Sequence, residues 1–396
     1  MRVEDLDLPS EVKRALVRRG IVELYPPQEE AVRRGALEGR NILMCTPTAS
    51  GKTLVALMAA LKHALNGGKV LYLTPLRALA SEKYEEFRDY AEEVGVRVAL
   101  TTGDYDSSDA WLEGYDIIVT TNEKADSLLR HRPPWIGSLT LLVADEVHLI
   151  NEERRGPTLE MVLARLASVV RDVQILALSA TIRNAEELAR WLDAEVVATE
   201  WRPVRLREGV YYDGEIYYGD GCVHALPDKG NPVQTLALDC VEGGGQALIF
   251  ASSRRSCVAH ARRIAVKMWE ILPAELRGEL ERLALSLLKT ETNEIVRQLS
   301  QLVRRGVAFH HAGLSYEIRR AVEEAFRATT LKVVVATPTL AAGVNLPARR
   351  VIIADYKRYN VELGFYERIS VIEYKQMAGR AGRPKYDKEG EAILIA

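Results

Sequence analysis

Short apolar runs rich in β-branched residues recur along the chain, and stretches with helical periodicity separate them. Near-continuous apolar strands that alternate with helices are typical of parallel sheets covered by helices on both faces. The runs form two series, which predict an α/β fold with two tandem domains of this kind. The strands predicted for the first domain cover residues 41–45, 70–73, 116–120, 139–144 and 174–178. Those predicted for the second cover residues 246–250, 307–310, 332–336, 350–354 and 391–395.

Helix signals and one break in the pattern divide the chain further. A first helix is predicted over 11–19 with Ser10 as its N-cap, and a second over 28–38 behind a proline pair. The tripeptide Trp201-Arg202-Pro203 interrupts any regular pattern. We therefore predict three parts of the chain: a first domain over 1–200, a linker over 201–210 and a second domain over 211–396. Inside the second domain we predict an irregular β excursion over 211–232 and a long helical stretch over 262–305.

Composition narrows the class of protein only a little. The hydrophobic fraction of 47% and the charged fraction of 27% are normal for a globular chain. The formal net charge of -2 argues against a binder that works through a polycationic tail, so a nucleic-acid site would need its positive charge in a groove. No apolar run approaches the roughly 20 residues of a membrane span, and no C-x-x-C pair suggests a zinc site. We expect a cytoplasmic protein with no membrane partner.

A phosphate-binding loop is the strongest chemical signal. It follows an apolar strand and opens a helix predicted over 52–65, which is the context that a phosphate cradle requires. In that context Lys52 reaches the β- and γ-phosphate oxygens, and Thr53 holds Mg²⁺. The loop consists of Thr46, Pro47, Thr48, Ala49, Ser50, Gly51, Lys52 and Thr53. Thr46 stands where the usual motif has its first glycine.

An acidic pair and a small polar segment follow two further strands. Asp145 and Glu146 stand at the end of the run 139–144, where Asp145 would bind Mg²⁺ and Glu146 would polarise the attacking water. Ser179-Ala180-Thr181 follows the run 174–178 and could sense the γ-phosphate. His148, two residues beyond the acid pair, is interpreted as a coupler rather than as a metal ligand.

A pair of arginines lies near the end of the chain, in the segment that begins at Gln376. On a helix, Arg380 and Arg383 would be three residues apart and share one face. An arginine presented to a γ-phosphate contributes about 10³–10⁵ in rate. The alternative interpretation is a solvated basic helix.

The order of these four elements resembles that of the superfamily-two helicases, whose core is two RecA-like P-loop domains with ATP in the cleft between them. The segment around Gln28, the sequence Asp-Glu-Val-His at 145–148, Trp201-Arg202-Pro203 and the long segment from Gly343 to Gln376 resemble the Ski-type branch. Within it the match is to the archaeal Hjm-type DNA repair helicases, relatives of the helicase part of DNA polymerase theta. This resemblance implies that Gln28 reads adenine and that Gly343 joins the nucleotide site.

The same resemblance implies a set of nucleic-acid contacts at the ends of successive strands. Small polar side chains and free backbone N–H groups suit contacts with a phosphate backbone that ignore base sequence. A strand-separating β-hairpin is implied near 356–369. The implied contact residues are Pro75, Arg77, Thr101, Gly103, Thr121, Ser252, Arg254, His311, Thr337, Tyr356 and Phe365. A metal site at His310 and His311 is disfavoured, because no third ligand stands at a supporting spacing.

The predicted function is therefore an ATP-dependent 3′→5′ DNA helicase core that acts in fork repair or recombination. ATP and Mg²⁺ are its expected cofactors, single-stranded or forked DNA is its expected partner, and we expect a monomer in the nucleoid of an archaeal cell. The alternatives are an RNA helicase of the same branch, a remodelling protein that uses ATP as a switch, and a small-molecule kinase. Relatives continue into winged-helix and ratchet domains, so we expect a shortened chain with intact ATP binding and reduced unwinding.

Overall fold

The computed structural model describes residues 1–103, 109–153, 155–170, 172–227, 230–338, 346–360, 364–384 and 386–396. The chain divides into two compact units, Met1–Pro203 and Val204–Ala396. Each unit contains a β-sheet and helices, and the described sheets are mostly parallel. The predicted α/β class is confirmed.

The first unit is built on a seven-stranded sheet in which every pairing is parallel. Its strands are β1 (Ile42–Cys45), β2 (Lys69–Thr74), β3 (Val98–Thr101), β4 (Ile117–Thr121), β5 (Leu139–Ala144), β6 (Gln174–Ser179) and β7 (Glu195–Ala198). Their spatial order is β3-β4-β2-β5-β6-β1-β7. Alternate strand residues point into two separate apolar clusters, one on each face of the sheet, which explains why these strands are apolar throughout.

Seven α-helices in the described part of the first unit cover the faces of this sheet. They are α1 (Ser10–Arg18), α2 (Pro26–Arg33), α3 (Lys52–Leu65), α4 (Arg77–Val94), α5 (Asn122–His131), α6 (Gly156–Val169) and α7 (Ala185–Leu192). Short 3₁₀ helices are found at Val3–Asp5, Ala110–Gly114, Pro134–Ser138 and Val147–Asn151.

The predicted ends of the first two helices are wrong by a few residues. Ser10 is the first residue of α1, and Pro9 takes the N-cap position without a side-chain hydrogen bond. The helix α2 ends at Arg33 because Gly35, at φ +96°, has left-handed backbone, and the N–H of Ala36 then bonds back to the carbonyl of Ala31. The strands β3 and β7 were not predicted at all.

The second unit contains an eight-stranded sheet. Its strands are β8 (Arg205–Tyr212), β9 (Glu215–Tyr218), β10 (Val223–Ala225), β11 (Ala247–Phe250), β12 (Val307–His310), β13 (Val333–Ala336), β14 (Arg350–Ile353) and β17 (Glu389–Ile395). The order is β10-β9-β8-β17-β14-β11-β13-β12, in which β9 and β10 are antiparallel to their neighbours and the remaining pairings are parallel. A separate antiparallel hairpin consists of β15 (Lys357–Asn360) and β16 (Phe365–Arg368).

Six α-helices belong to the described part of the second unit. They are α8 (Pro232–Glu242), α9 (Arg254–Ile271), α10 (Arg277–Thr290), α11 (Glu294–Val303), α12 (Tyr316–Arg327) and α13 (Val371–Ala378), with a 3₁₀ helix at Ala274–Leu276. The stretch 262–305 is thus not one helix: Pro273 separates α9 from α10, and the side chain of Asn293 caps α11. None of the helices described has the length and apolar character needed to cross a lipid bilayer.

The predicted linker over 201–210 differs from the structure. Residues 205–210 lie in β8, which pairs along its length with the last strand, β17. The sequence of β8 has charged residues at 205, 207 and 208 and glycine at 209, so it contains no continuous apolar run from which a strand could be predicted. The excursion predicted over 211–232 contains the antiparallel strands β9 and β10.

Candidate ATP site and nucleic-acid edge

The carboxyl ends of the parallel strands carry the predicted functional segments, and the strand order sorts them into two groups. In the first unit β5, β6 and β1 are neighbours, and the acid pair, the Ser-Ala-Thr segment and the phosphate loop follow them. The neighbouring strands β3, β4 and β2 are followed by the segments predicted to contact nucleic acid. Since parallel strands end at one edge, the segments predicted to bind ATP lie on one half of this edge, and the segments predicted to contact nucleic acid lie on the other, the strand-contact half.

The phosphate loop joins β1 to α3 through left-handed backbone at two residues. Ala49 has φ +69° and Gly51 has φ +82°. A side chain at Gly51 is excluded, because a Cβ there would lie 2.0 Å from Nε2 of Gln28. The hydroxyls of Thr46 and Ser50, both fully buried, share a 2.6 Å hydrogen bond that closes the base of the loop. The loop thus places the N-terminus of α3, whose N–H groups can bind anions, at the functional edge.

Gln28, the predicted adenine reader, is buried and already has two partners. Its Oε1 accepts a hydrogen bond from the backbone N–H of Tyr25 at 2.8 Å, and its Nε2 donates to the carbonyl of Gly51 at 3.0 Å. The ring of Tyr25 packs against Trp201 with centroids 4.9 Å apart. Gln28 therefore ties the start of α2 to the phosphate loop, and adenine recognition stays a prediction.

Lys52 lies folded over its own loop. Its ammonium donates to the carbonyl oxygens of Thr46, at 2.7 Å, and of Pro47, at 3.3 Å. Burial lowers the pKa of Lys52, while the nearby carboxylates of Glu146 and Asp145 oppose that shift. The lysine and the acid pair therefore share one electrostatic environment, as a phosphate-binding lysine beside a metal ligand should.

The acid pair is held rigidly at the end of β5. Asp145 is 6% exposed; its Oδ2 accepts a hydrogen bond from the hydroxyl of Tyr72 at 2.8 Å, and its Oδ1 accepts from the N–H of Glu146 at 2.9 Å. Glu146 has φ +53°, a left-handed conformation that costs about 1–3 kcal/mol and is typical of functional sites. Burial and the charge of Glu146 raise the pKa of Asp145, whereas Lys83 opposes the rise.

His148 connects the acid pair to the Ser-Ala-Thr segment. Its Nδ1 accepts a hydrogen bond from the backbone N–H of Ala180 at 3.2 Å and lies 3.4 Å from a carboxylate oxygen of Glu146. Burial, followed by the charge of Lys52, lowers the pKa of His148 to about 4. The ring is therefore neutral at pH 7 and forms no ion pair with Glu146. The role of His148 as a coupler between the ATP and DNA sites stays a prediction.

Lys83 belongs to this site, although the sequence analysis did not identify it. It is 9% exposed, and its ammonium donates to the hydroxyl of Thr53 at 3.1 Å and to a carboxylate oxygen of Glu86 at 2.8 Å. Burial opposes its charge, but Glu86 and Asp145 outweigh burial and raise the pKa of Lys83. The overlooked signal was a lysine inside the apolar stripe of α4, between Ala80 and Phe87.

The strand-contact half of the first unit contains a buried ion pair. Lys124 is 3% exposed and lies 3.1 Å from the carboxylate of Asp109, which also accepts the hydroxyl of Thr101 at 2.8 Å. The side chain of Thr121 caps α5 by accepting the N–H of Lys124. The ends of β3 and β4 are thus joined, and Thr101 and Thr121 lie there as predicted. Pro75, Arg77 and Gly103 lie in the segments after β2 and β3.

Four neighbouring strands of the second unit, β14, β11, β13 and β12, present the other predicted contacts at their carboxyl ends. Ser252 donates both its N–H, at 2.9 Å, and its hydroxyl, at 2.8 Å, to one carboxylate oxygen of Asp355. His311 stacks on Phe309 and accepts the N–H of Gly313, and burial and Arg254 lower its pKa. Thr337 directly follows β13.

His310, the other histidine of the adjacent pair, contacts Glu323 at 2.8 Å. Both of the residues in this contact are largely buried. His310 is the last residue of β12 and Glu323 belongs to α12, so their contact joins this strand to this helix.

The arginine pair does not lie on a helix face, so that interpretation is wrong. The helix α13 includes Gln376 but ends at Ala378, and Arg380 and Arg383 follow it. Arg383 is 9% exposed and donates to both carboxylate oxygens of Asp387, at 2.7 and 2.8 Å, and to Oε1 of Gln246 at 2.7 Å. Gln246 precedes β11, so Arg383 lies at the amino ends of the central strands, where it stabilises the fold. Contact with a γ-phosphate stays a prediction, and Arg380 is the less buried of the two arginines.

The hairpin β15–β16 lies inside the segment 356–369, to which the resemblance assigned strand separation. Phe365 is 53% exposed and Tyr366 is 68% exposed, while Tyr356 is partly buried with the ammonium of Lys357 over its ring. Exposed aromatic rings suit stacking with bases. Gly343 belongs to residues 339–345, which lie outside the residues that the structure describes.

Comparisons with known families assign both halves of the chain. Residues 25–188 match the family described as DEAD/DEAH box helicase, and residues 229–385 match the helicase conserved C-terminal domain. The first match contains the phosphate loop, the acid pair and the Ser-Ala-Thr segment, and the second contains the arginine pair.

Curated relatives extend the likeness over the whole chain. Proteins named ATP-dependent DNA helicase Hel308 from Methanocella arvoryzae, Caldivirga maquilingensis and Pyrobaculum calidifontis are each 50% identical to all of this chain. The chain spans about half the length of these relatives, namely 54%, 52% and 55%. The phosphate loop and the acid pair follow two strands of one sheet, β1 and β5, which β6 separates. Since both helicase domains are matched in tandem, the chain belongs to the superfamily-two helicases.

Proposed function

We propose that this chain is the ATP-hydrolysing core of a DNA helicase that acts in replication-fork repair or recombination. The observation that carries the proposal is the arrangement of the first sheet. In its strand order, the predicted phosphate loop and acid pair follow strands on one half of the carboxyl edge, and the segments predicted to contact nucleic acid follow strands on the other half. The ATP site and the nucleic-acid contacts are thus built on one sheet, so that a conformational change at the ATP site can be coupled to the contacts with the strand.

The residues of the site fit a magnesium ion. Mg²⁺ prefers hard oxygen ligands and is commonly held by one or two carboxylates together with substrate phosphates. The hydroxyl of Thr53 and the carboxylate of Asp145 are oxygen donors, and both interact with the cation of Lys83. When bound, the ion would neutralise charge on the phosphates of ATP.

The protein side chains then have separate tasks. Lys52 leaves the carbonyl oxygens of its own loop and donates to the β- and γ-phosphate oxygens of ATP. Glu146, fixed by left-handed backbone and 30% exposed in its side chain, can orient a water molecule and accept its proton. His148 transmits the position of Glu146 to the Ser-Ala-Thr segment through the N–H of Ala180.

DNA is proposed as the polymer because the relatives that match the whole chain are named DNA helicases. The predicted contact residues of this chain include hydroxyls, backbone groups and exposed arginines such as Arg254, which suit a phosphate backbone of either kind. A preference for DNA over RNA is therefore tested by experiment: phosphate release is compared with single-stranded DNA and RNA oligonucleotides of equal length. Equal stimulation by RNA would contradict the proposal.

Hydrolysis itself is tested with Lys52→Ala and Glu146→Gln. We expect each change to lower DNA-stimulated phosphate release by about 10²-fold or more, whereas Glu146→Gln should still bind ATP. Unchanged hydrolysis in both variants would refute the assignment. Translocation from 3′ to 5′ is proposed as well, and a duplex with a 3′ tail should be unwound faster than one with a 5′ tail.

A further inference from the structure

The site contains a second lysine for which the proposed function has no task. Lys83 comes from α4, and its ammonium contacts Thr53 at 3.1 Å. Thr53 is one of two groups assigned to Mg²⁺, and the other, Asp145, is close enough to Lys83 that each shifts the pKa of the other. An ammonium thus donates a hydrogen bond to one of the groups that would bind the metal and acts on the other through its charge.

The surroundings of Lys83 hold it in that place. Two residues of α4 one turn apart, Lys83 and Phe87, face the same way, and Phe87 packs edge-on against Tyr72 at 5.0 Å. The hydroxyl of Tyr72 in turn donates to Asp145 at 2.8 Å. The helix that presents the lysine is therefore packed against the residue that orients the metal-binding carboxylate.

Lys83 also has an alternative partner. Glu86, on the same helix, accepts its ammonium at 2.8 Å and has a side chain that is 38% exposed. A lysine has a flexible stem, so its ammonium can exchange partners without movement of the helix. Glu86 can therefore retain the ammonium when Thr53 and Asp145 take another ligand.

We propose that Lys83 is a tethered counter-ion of the metal-binding groups, which shields Thr53 and Asp145 in the nucleotide-free chain and is displaced toward Glu86 when Mg²⁺ binds. This inference rests on the proposed ATP site. Two cations that compete for one set of ligands oppose each other, so removing the tethered cation strengthens binding of the free one. A purely structural lysine would change stability and leave the magnesium requirement alone.

The test measures binding of mant-ADP, a fluorescent ADP, to the full chain while free Mg²⁺ is titrated from zero. In Lys83→Met we expect the half-saturating Mg²⁺ concentration to fall by about 5-fold or more, and affinity for mant-ADP in EDTA to fall by a similar factor. In Glu86→Gln the half-saturating concentration should rise, because Lys83 then competes without its alternative partner. The two variants thus predict opposite signs.

Two matched controls accompany these variants. Lys62→Met removes a partly buried lysine that is paired with Asp7, and Glu93→Gln removes a carboxylate of α4 that is paired with Arg19. Both should keep the magnesium requirement of the unaltered chain. If Lys83→Met does not fold, the exposed change Glu86→Gln still decides the question.

The outcomes separate the inference from the proposed function. A magnesium requirement that is unchanged, or that rises in Lys83→Met, overturns the counter-ion role while nucleotide binding by the unaltered chain upholds the ATP site. A Glu86→Gln variant with an unchanged or lowered requirement overturns it equally. If the unaltered chain binds no mant-ADP with or without Mg²⁺, the proposed function fails and the inference fails with it.

Discussion

Each unit buries a cluster of opposite charges, and the two clusters differ in how completely their members are paired. In the second unit Arg350 is 5% exposed and donates to Asp239 at 2.7 Å, to Glu391 at 2.7 and 2.8 Å and to the carbonyl of Leu236 at 2.9 Å. Its planar guanidinium is thus bound on several sides in a fixed geometry.

The cluster of the first unit is built from more adaptable parts. Its cations are the ammonium groups of Lys52 and Lys83, which are held by backbone carbonyls, by a hydroxyl and by one exposed carboxylate. Two carboxylates, Asp145 and Glu146, are adjacent, and one of them has strained backbone. The binding of a phosphate and a metal ion would stabilise such a cluster, because these ligands can replace the carbonyl, hydroxyl and carboxylate partners that the protein supplies.

The position of each cluster on its sheet agrees with this difference. Arg350 opens β14 and therefore lies at the amino ends of the strands, as does Arg383 beside Gln246. The acid pair and the phosphate loop lie at the carboxyl ends, where open α/β sheets bind ligands. Buried charge at the amino edge stabilises the fold, and buried charge at the carboxyl edge forms the site.

The largest expected effect is a loss of ATP hydrolysis on substitution of Arg380, which would distinguish this arginine from Arg383. We expect Arg380→Ala to lower DNA-stimulated phosphate release by about 10³-fold, since an arginine that contacts a γ-phosphate contributes at least that much. Arg383→Ala should instead lower the free energy of unfolding by about 3 kcal/mol, because it leaves the buried Asp387 without its partner. Both quantities are measured on both variants.

Asp387→Asn provides the control, because it breaks the same ion pair and leaves Arg383 in place. It should reproduce the loss of stability and retain phosphate release in the folded protein. If folded Arg383→Ala loses as much hydrolysis as Arg380→Ala does, Arg383 has a catalytic task and the division between the two edges is wrong.

The Arg350 cluster gives the next largest effect. Arg350→Met should lower the free energy of unfolding by about 3–5 kcal/mol, because Asp239 and Glu391 are left as neighbouring uncompensated charges. Chemical denaturation measures this change, and mant-ADP binding by the folded variant should stay as it was. A loss of binding with little loss of stability would show that the amino edge also serves the nucleotide.

The sequence predicted those parts of the fold and site that depend on neighbouring residues. A strand, a glycine at φ +82° and a helix starting at Lys52 are local features, and α3 begins and ends as predicted. The helix does not extend to Arg383 as predicted, because Gly382 has φ +96°, a backbone conformation that no α-helix contains. Gly382 also packs closely against Val204, since a Cβ at this position would lie 2.6 Å from the Val204 side chain.

Contacts between distant parts of the sequence could not be predicted in this way. Lys83 lies 30 positions from Thr53, and only the order of the strands brings them together. Arg383 likewise donates a hydrogen bond to Gln246, which is 137 positions away in the sequence. In both cases the sequence contained a polar residue in an apolar context, which indicates a buried partner but does not identify it.

The buried, neutral His148 of the first unit predicts that the free energy of unfolding depends on pH. The pKa of His148 is about 4 in the folded chain and near 6.5 in an unfolded one. Neutral His148 therefore contributes full stability above about pH 6.5, and this contribution is lost as the pH falls toward 4, by up to about 3 kcal/mol.

His148→Asn is the variant that checks this effect. Its amide oxygen can still accept the N–H of Ala180, but it does not titrate. Between pH 7 and pH 5 the free energy of unfolding should fall less in the variant than in the unaltered chain, because every other titrating group is common to both. Equal losses would mean that His148 is not the group responsible.

The smallest expected effect concerns the strand contacts of the second unit. Ser252 donates its N–H and its hydroxyl to Asp355, so a negative charge stands where a DNA phosphate is expected. Asp355→Asn keeps an acceptor for Ser252 and removes that charge, while the exposed Arg254, two residues after Ser252, stays in place. Affinity for single-stranded DNA should therefore rise by about 3-fold at low salt, and the gain should shrink as salt screens it.

Fluorescence anisotropy with a labelled oligonucleotide measures both the affinity and its dependence on salt. Asp213→Asn, an exposed change in the turn between β8 and β9, serves as the control. If Asp355→Asn binds DNA more weakly than Asp213→Asn does, the carboxylate orients Ser252 for binding, and this edge resembles the fully paired cluster around Arg350 more than the replaceable one around Lys83.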